Sequence, residues 1–267
     1  AAVVRSENKA DGKGFAVDGA SMVAVAGGCG ARLVGLLPHR KVAGGCQVTR
    51  ELKFGRRAAL SGQPRSMVVF LHGYGADGAD LLGLADPMAP HLRNTVFVAP
   101  DAPEPCSGNP FGRQWFPIPW LDGSSELAAA TGLARSAQDL DGFLDARMKD
   151  EKIDAQHVAL VGFSQGSMMA LHVAPRRDVA CAGVVSFSGR LLQPEALVAD
   201  ARVKPPIMLI HGDADPMVPF EDMALAGGVL VAAGFETFGH VMRGTGHGIA
   251  PDGLSVALAF LKERLPQ

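Results

Sequence analysis

Short apolar runs bounded by turn-forming residues recur along the chain from residue 67 onward. The first run, Met-Val-Val-Phe-Leu-His at residues 67–72, lies between Pro64 and Gly73, as is typical of a strand buried on both faces. Similar runs predict further strands at residues 95–99, 157–162, 182–187, 207–211 and 237–242. A turn residue and then a candidate helix follow each run, so the pattern predicts an α/β fold with a mostly parallel central sheet.

Apolar positions three or four residues apart predict the helices. Residues 124–149 carry leucine and alanine at this spacing and keep Arg135 and Asp145 off the apolar face, and residues 254–265 repeat the pattern near the end. Ahead of the first core strand, residues 48–60 alternate weakly between apolar and polar positions. This segment is predicted to add an antiparallel strand at the edge of the sheet.

The first 45 residues differ from the rest of the chain. They hold nine glycines and nine alanines but a single aromatic residue, Phe15, so they have little apolar surface to bury. The half-apolar stretch at residues 20–37 is interrupted by Arg32 and has no basic cluster directly before it, which disfavours a secretory signal. We expect residues 1–47 to be a flexible leader or extension, and residues 48–267 to form one compact catalytic domain.

Composition and charge exclude several classes of protein. With 48% hydrophobic residues, 19% charged residues and a net charge of −2, the chain is not disordered by composition and lacks the basic surface that nucleic-acid binding needs. No run approaches the roughly 18 apolar residues of a membrane span. The four cysteines are far apart and follow no metal-binding spacing, which favours free thiols in the cytoplasm, with export the less favoured location: Cys29, Cys46, Cys106 and Cys181.

One motif carries most of the functional signal. Residues 162–166, Gly-Phe-Ser-Gln-Gly, fit G-x-S-x-G and stand between an apolar strand and a helix-like run, which is the context in which a nucleophilic serine is presented. The turn is so tight that only glycine fits two positions either side of Ser164. The helix that follows directs its first N–H groups toward the serine, where they favour the negative charge of a tetrahedral intermediate.

A serine nucleophile also needs a base and a carboxylate that orients the base, in the chain order Ser, acid, His on this type of sheet. Asp215 and His247 follow the predicted strands at residues 207–211 and 237–242, at the sheet edge where sites in α/β folds form. Asp215 is preferred because it is the last residue before Pro216, with Asp213 as the alternative. His247 is preferred over His240, since His240 lies within a predicted strand.

The oxyanion of such a reaction requires hydrogen-bond donors. Residues 72–78, His-Gly-Tyr-Gly-Ala-Asp-Gly, directly follow the first core strand and form a glycine-rich turn whose N–H groups can point inward. The N–H of Tyr74 and the N–H of Gln165, the residue after Ser164, are predicted to form a two-donor hole.

Taken together, the motifs resemble the phospholipase/carboxylesterase family of α/β-hydrolases, which includes the acyl-protein thioesterases. The likeness covers residues 67–265, and its motifs lie in family order at residues 71–78, 162–166, 211–219 and 246–247. The resemblance implies an α/β-hydrolase fold with helices on both faces of the sheet. It also implies a triad of Ser164, Asp215 and His247, and an oxyanion hole formed by Tyr74 and Gln165.

The same resemblance indicates a substrate pocket. Arg-Gln-Trp-Phe at residues 113–116 matches the family segment that lines the acyl pocket, so Arg113, Trp115 and Phe116 are predicted to bind substrate. Met217, in the loop of the acid, is a further predicted substrate-binding residue. Pro117 and Tyr74 stand where relatives more often carry aspartate and leucine, which leaves the acyl preference open.

Two other motifs indicate different functions, but less strongly than the serine hydrolase motifs do. Gly73-x-Gly75-x-x-Gly78, with Asp101 after the next strand, fits a dinucleotide fingerprint, but it leaves Ser164 and the downstream acid and histidine without a role. His-x-Asp-x-Asp at residues 211–215 could suggest a metal site, yet no further ligand cluster completes it. We expect no metal and no organic cofactor.

The sequence therefore predicts a serine carboxylesterase that hydrolyses carboxylic esters or thioesters through an acyl-enzyme on Ser164. The longest connections, residues 101–123 and 189–204, leave no room for a large lid, so an open site for short or accessible acyl groups is expected. The substrate is a small molecule, and a homodimer is compatible with the sequence. The alternatives are a serine peptidase or amidase on the same fold, and a non-catalytic α/β binding protein.

Overall fold

A computed structural model describes residues 49–107 and 109–266. The predicted leader, residues 1–47, lies outside the described residues. The described chain forms a seven-stranded sheet from β1 (Phe54–Arg57), β2 (Ser66–Leu71), β3 (Thr95–Pro100), β6 (Val158–Phe163), β7 (Gly183–Phe187), β8 (Ile207–Gly212) and β9 (Thr237–Met242). A separate hairpin pairs β4 (Glu104–Cys106) with β5 (Asn109–Gln114).

The strand order of the sheet is β1-β3-β2-β6-β7-β8-β9. β1 pairs with β3 in the antiparallel direction, whereas the other neighbours are parallel. The six predicted core strands and the antiparallel edge strand are confirmed, although the edge strand is restricted to Phe54–Arg57. β2, β3, β7 and β8 are buried along their whole length, because helices cover both faces of a parallel sheet.

The helices form two layers. α4 (Glu126–Glu151), α5 (Gln165–Val173), α6 (Pro194–Asp200) and α7 (Glu221–Ala232) pack on one face, while α1 (Gly78–Leu82), α2 (Ala85–Met88) and α8 (Pro251–Arg264) pack on the other. Successive strand residues point to opposite faces, so Val69 belongs to the first apolar core and Val68 to the second. The predicted fold class, a mostly parallel sheet with helices on both faces, is confirmed.

The long connection after β3 contains the hairpin and a short helix, α3 (Pro119–Asp122), where the sequence indicated only a loop. Three residues of β5 are exposed and prolines occur in both strands, so no period-2 alternation reveals the hairpin. Within the described residues, neither of the two longest connections holds a large lid. None of the described helices is both long enough and apolar enough to span a membrane.

Candidate active site

Three loops at the carboxyl edge of the sheet carry the predicted triad. Ser164 stands between β6 and α5 in the nucleophile turn, residues 162–166; Asp215 lies in the acid loop, residues 213–220, after β8; His247 lies in the histidine loop, residues 243–250, after β9. Because these strands run parallel, their carboxyl ends meet at one edge. The topology therefore places a serine, an aspartate and a histidine on the same side of the molecule.

Steric contacts determine the shape of the nucleophile turn. Ser164 has φ 52° and ψ −116°, a conformation that costs a non-glycine residue about 1–3 kcal/mol. A methyl group on Gly162 would lie 2.5 Å from the carbonyl carbon of Gly166, and one on Gly166 would lie 1.9 Å from the carbonyl oxygen of Leu71. Neither position has room for a side chain, which is the physical reason for both glycines of the motif.

Asp215 and His247 form a direct pair. His247 Nδ1 lies 2.8 Å from Asp215 Oδ2, and the aspartate side chain is fully buried. The other oxygen, Oδ1, accepts hydrogen bonds from the N–H groups of Met217 at 2.8 Å and Val218 at 3.0 Å. Burial alone would raise the pKa of Asp215, but the bonds from Val218, His247 and Met217 outweigh it and hold the pKa below its ordinary value.

An ionised Asp215 determines the tautomer of His247. A carboxylate only accepts hydrogen bonds, so Nδ1 carries the proton and Nε2 keeps a lone pair that can act as a base. The imidazole ring packs against Phe163, with ring centroids 4.8 Å apart, and Phe163 directly precedes Ser164. Within the described residues the Ser164 hydroxyl has no hydrogen-bond partner.

The glycine-rich turn after β2 packs directly on Ser164. A methyl group on Gly73 would lie 3.3 Å from Ser164 Cβ, and Tyr74 is the next residue of the turn. Gly75 N–H donates to the Arg113 carbonyl at 2.9 Å, and Arg113 N–H donates to the Ala76 carbonyl at 2.8 Å. Among residues 49–107 and 109–266, no acceptor takes the N–H of Tyr74 or of Gln165, which leaves both donors available.

The His72 side chain is hydrogen-bonded to two backbone groups near the glycine-rich turn. Its Nε2 accepts the N–H of Ala102 at 2.9 Å and its Nδ1 lies 2.7 Å from the Gly73 carbonyl, so the ring is neutral with the proton on Nδ1. Burial lowers the pKa of His72, which favours this neutral form. The imidazole therefore stabilises the first residues of the turn that carries Tyr74.

A groove of about 190 Å³ opens beside α5. Phe116 and Met168 lie in its wall, and Met168 follows Ser164 by one turn of α5. The groove also includes Ile118 and Trp120, together with residues that sequence reasoning did not assign to the site: Ala129, Ala130, Leu133, Arg190 and Leu192. Arg190 stacks over the Trp120 ring at 5.4 Å and pairs with Asp222 at 2.6 Å.

The predicted substrate-binding residues occupy different positions. Phe116 lines the groove, whereas Trp115 is fully buried and donates from Nε1 to the His72 carbonyl at 3.0 Å. The Arg113 guanidinium donates to the carbonyls of Ala102 at 2.8 Å and Pro103 at 2.7 Å, so it supports the hairpin. Met217 is 55% exposed in the acid loop.

The alternative residues and motifs have other partners. Asp213 accepts the N–H of Gly244 at 2.6 Å, and His240 pairs with Asp252 at 2.8 Å. His211 Nε2 lies 3.0 Å from the Val218 carbonyl, so all three polar side chains of the His-x-Asp-x-Asp segment contact loop residues or His247. The Asp101 carboxylate accepts the Gly78 N–H at 3.0 Å, inside the turn that the dinucleotide alternative used.

Comparisons with known proteins agree with this architecture. The family model described as phospholipase/carboxylesterase matches residues 58–265. The crystal structure of esterase PE8 is 41% identical, with a TM-score of 0.77, and the match covers 81% of this chain and 100% of that one.

Curated relatives point the same way. Acyl-protein thioesterase 1 of Saccharomyces cerevisiae is 30% identical over 227 residues, 79% of this chain and 98% of its own. Esterase YpfH of Escherichia coli is 26% identical over 203 residues, 76% of this chain and 84% of its own. The chain is a carboxylic ester hydrolase that belongs to the phospholipase/carboxylesterase family of α/β-hydrolases.

Proposed function

We propose that the protein is a serine esterase that forms an acyl-enzyme on Ser164. His247 Nε2 takes the hydroxyl proton while Oγ attacks the carbonyl carbon of the ester or thioester. The N–H groups of Tyr74 and Gln165 donate to the resulting oxyanion, and Asp215 stabilises the imidazolium. His247 then protonates the departing alcohol or thiol, and later activates a water molecule that releases the acid and restores Ser164.

The observation that carries the proposal is the 2.8 Å bond between a buried Asp215 and His247 Nδ1, next to a serine held at φ 52°. A buried carboxylate that fixes one tautomer leaves the opposite ring nitrogen as a base. A positive φ at a non-glycine residue persists only where the surrounding structure enforces it. Both features serve nucleophilic catalysis, and neither is needed to close the apolar core.

The volume of the groove bears on the size of the acyl group. Its volume of about 190 Å³ slightly exceeds the ~150 Å³ of an engineered cavity that holds benzene, a six-carbon ligand. We therefore propose short to medium acyl groups as substrates. Esterase and thioesterase activities both occur among the named relatives, so the leaving group is an alcohol or a thiol. A cytoplasmic location and a homodimer stay predictions.

The test compares the parent with Ser164→Ala in p-nitrophenyl butyrate hydrolysis, with circular dichroism to show that both fold. A fluorophosphonate label is then located by peptide mapping. We expect label on Ser164 and a loss of at least about 10³-fold in kcat in the variant. A folded parent that neither turns over nor labels would refute the proposal, and comparable turnover of an anilide would favour the amidase alternative.

A further inference from the structure

The side chain of Gln165 joins the nucleophile turn to the wall of the groove. It is fully buried. Its Oε1 accepts the N–H of Trp115 at 2.8 Å, and its Nε2 donates to the carbonyl of Phe116 at 2.7 Å. One amide therefore satisfies two backbone groups of a segment about 50 positions away in the chain.

The same residue has a second part in the site. Its backbone N–H is one of the two donors proposed for the oxyanion, whereas Phe116 lines the groove proposed for the acyl group. One hydrogen bond to Trp115 and one to Phe116 therefore link the wall of the groove to the residue proposed to supply an oxyanion donor.

The wall segment is also tied to the other donor. Trp115 Nε1 donates to the His72 carbonyl at 3.0 Å, two residues before Tyr74, and the hydroxyl of Ser136 in α4 donates to the Trp115 carbonyl. Trp115 therefore contacts both the Gln165 side chain, through its backbone N–H, and the segment that leads to Tyr74, through its indole. Because each of these polar groups is buried, leaving one unpaired would be costly, which favours a single arrangement.

We propose that Gln165 is a positioning residue that couples occupation of the groove by an acyl chain to the position of the oxyanion donors, a role that rests on the proposed function. An acyl chain that fills the groove presses on the Phe116 wall and holds the donors in their productive place. Binding energy from the unreactive end of the substrate is then used at the reacting carbonyl, and it raises kcat rather than only lowering KM.

Two substitutions separate this coupling from simple packing. Gln165→Met keeps the length of the side chain and removes both hydrogen bonds. Gln165→Glu keeps the shape, but an ionised carboxylate places an acceptor against the Phe116 carbonyl, and protonation restores a donor there. The other ionisable groups that the described residues place around this segment are His72, whose ring lies 5.7 Å from Trp115, Asp122, which accepts the N–H of Ile118 at 2.9 Å, and Glu126 and Arg190 at the groove. The Asp215–His247 pair titrates in every variant and cancels in the ratio to the parent.

The experiment measures kcat and KM for p-nitrophenyl acetate and p-nitrophenyl hexanoate between pH 5.5 and 8. Gln138→Glu, an exposed position on α4, is the matched control for the added charge. We expect a kcat at least tenfold higher for hexanoate than for acetate in the parent and in the control. In both Gln165 variants this preference should disappear, with the loss falling mainly on hexanoate.

The Glu variant supplies an independent readout. Its kcat for hexanoate, divided by that of the parent at the same pH, should rise as the pH falls, while the ratio for the Met variant stays flat. If the Met variant does not fold, the pH dependence of kcat in the Glu variant tests the inference alone.

Equal losses for both esters, a flat ratio in Gln165→Glu, or a parent without the hexanoate preference would overturn the inference. Absence of fluorophosphonate label on parental Ser164 would instead refute the proposed function.

Discussion

The nucleophile turn and the histidine loop lie at the same edge of the sheet, but they are held in different ways. In the nucleophile turn, an added methyl group at Gly162 or Gly166 would meet backbone atoms within 2.5 Å. In the histidine loop, the same position on Gly244 or Gly248 has no atom within 4 Å among the described residues, its chain neighbours aside. Hydrogen bonds hold that loop instead, from Gly244 N–H to Asp213 and from His247 to Asp215.

The difference teaches which changes each region tolerates. Close packing sets the position of Ser164, so added volume is expected to be damaging there. The position of His247 depends on polar contacts, so added volume should be tolerated and a lost acceptor should not. The substitutions that follow test this contrast.

The largest effect is expected from Asp215→Asn. An amide in place of the carboxylate no longer enforces the proton on His247 Nδ1, so Nε2 loses its role as base, and kcat should fall about 10⁴-fold. Steady-state kinetics with p-nitrophenyl butyrate measures this, with the near-ultraviolet circular dichroism spectrum as the control for folding. A loss below tenfold would show that another group orients His247.

Gly166→Ala should come next. The new methyl group would overlap the Leu71 carbonyl and displace the turn, and a displacement of about 1 Å at the reacting group costs on the order of 10²-fold in rate. Gly248→Ala adds the same methyl group beside His247, where space is open. It should retain kcat/KM within about twofold, and equal losses in the two variants would contradict the contrast.

Asp213→Asn should have a smaller effect. The amide oxygen can still accept the Gly244 N–H, although more weakly than the carboxylate does, so the histidine loop keeps its path. We expect kcat/KM to fall by no more than about tenfold. The comparison with Asp215→Asn is matched, since both substitutions are identical and both lie in the acid loop. Similar losses in the two variants would mean that either aspartate can serve the histidine.

The smallest effect on activity is expected at His172, in the nucleophile helix α5. Burial, helped by the charge of Arg176, lowers the pKa of His172 to about 4, from 6.5. The folded protein therefore binds this proton less readily than the unfolded chain. The resulting stability is complete above pH 6.5 and is lost as the pH falls toward 4. Asp215, with its lowered pKa, stays ionised through this window.

His172→Phe removes that titration. The free energy of unfolding, measured with urea, should fall in both proteins between pH 7 and pH 4.5. We expect this fall to be about 2 kcal/mol smaller in the variant than in the parent. The kcat at pH 7 should not change. If the two proteins lose stability in parallel, the buried imidazole is not the cause of the acid sensitivity.

The sheet could be predicted from the sequence because each strand is a short apolar run of its own. The loops of Ser164, Asp215 and His247 could be predicted because residue order and strand ends restrict where such groups meet, and the structure brings them together. Their catalytic roles stay predictions. The hairpin at Glu104–Gln114 was missed because exposed, proline-containing strands carry no alternation.

The groove could not be predicted in the same way. Leu133 and Leu192 come from two separate segments, and the sequence around each shows only an ordinary apolar residue. Only tertiary packing shows that they border one space. The side chain of Gln165 is a similar case, because the motif indicates its N–H and gives no sign that its amide reaches Trp115 and Phe116.

The sheet order has a consequence for partial unfolding. β6, which presents Ser164, has neighbours on both sides, whereas β9 is an edge strand, and the chain from β9 to α8 carries His247. Edge elements open at lower free energy than central ones, so we expect His247 to be released while Ser164 and both tryptophans keep their native surroundings. Loss of turnover on heating would then precede loss of tryptophan fluorescence, and the two midpoints would not describe one two-state transition.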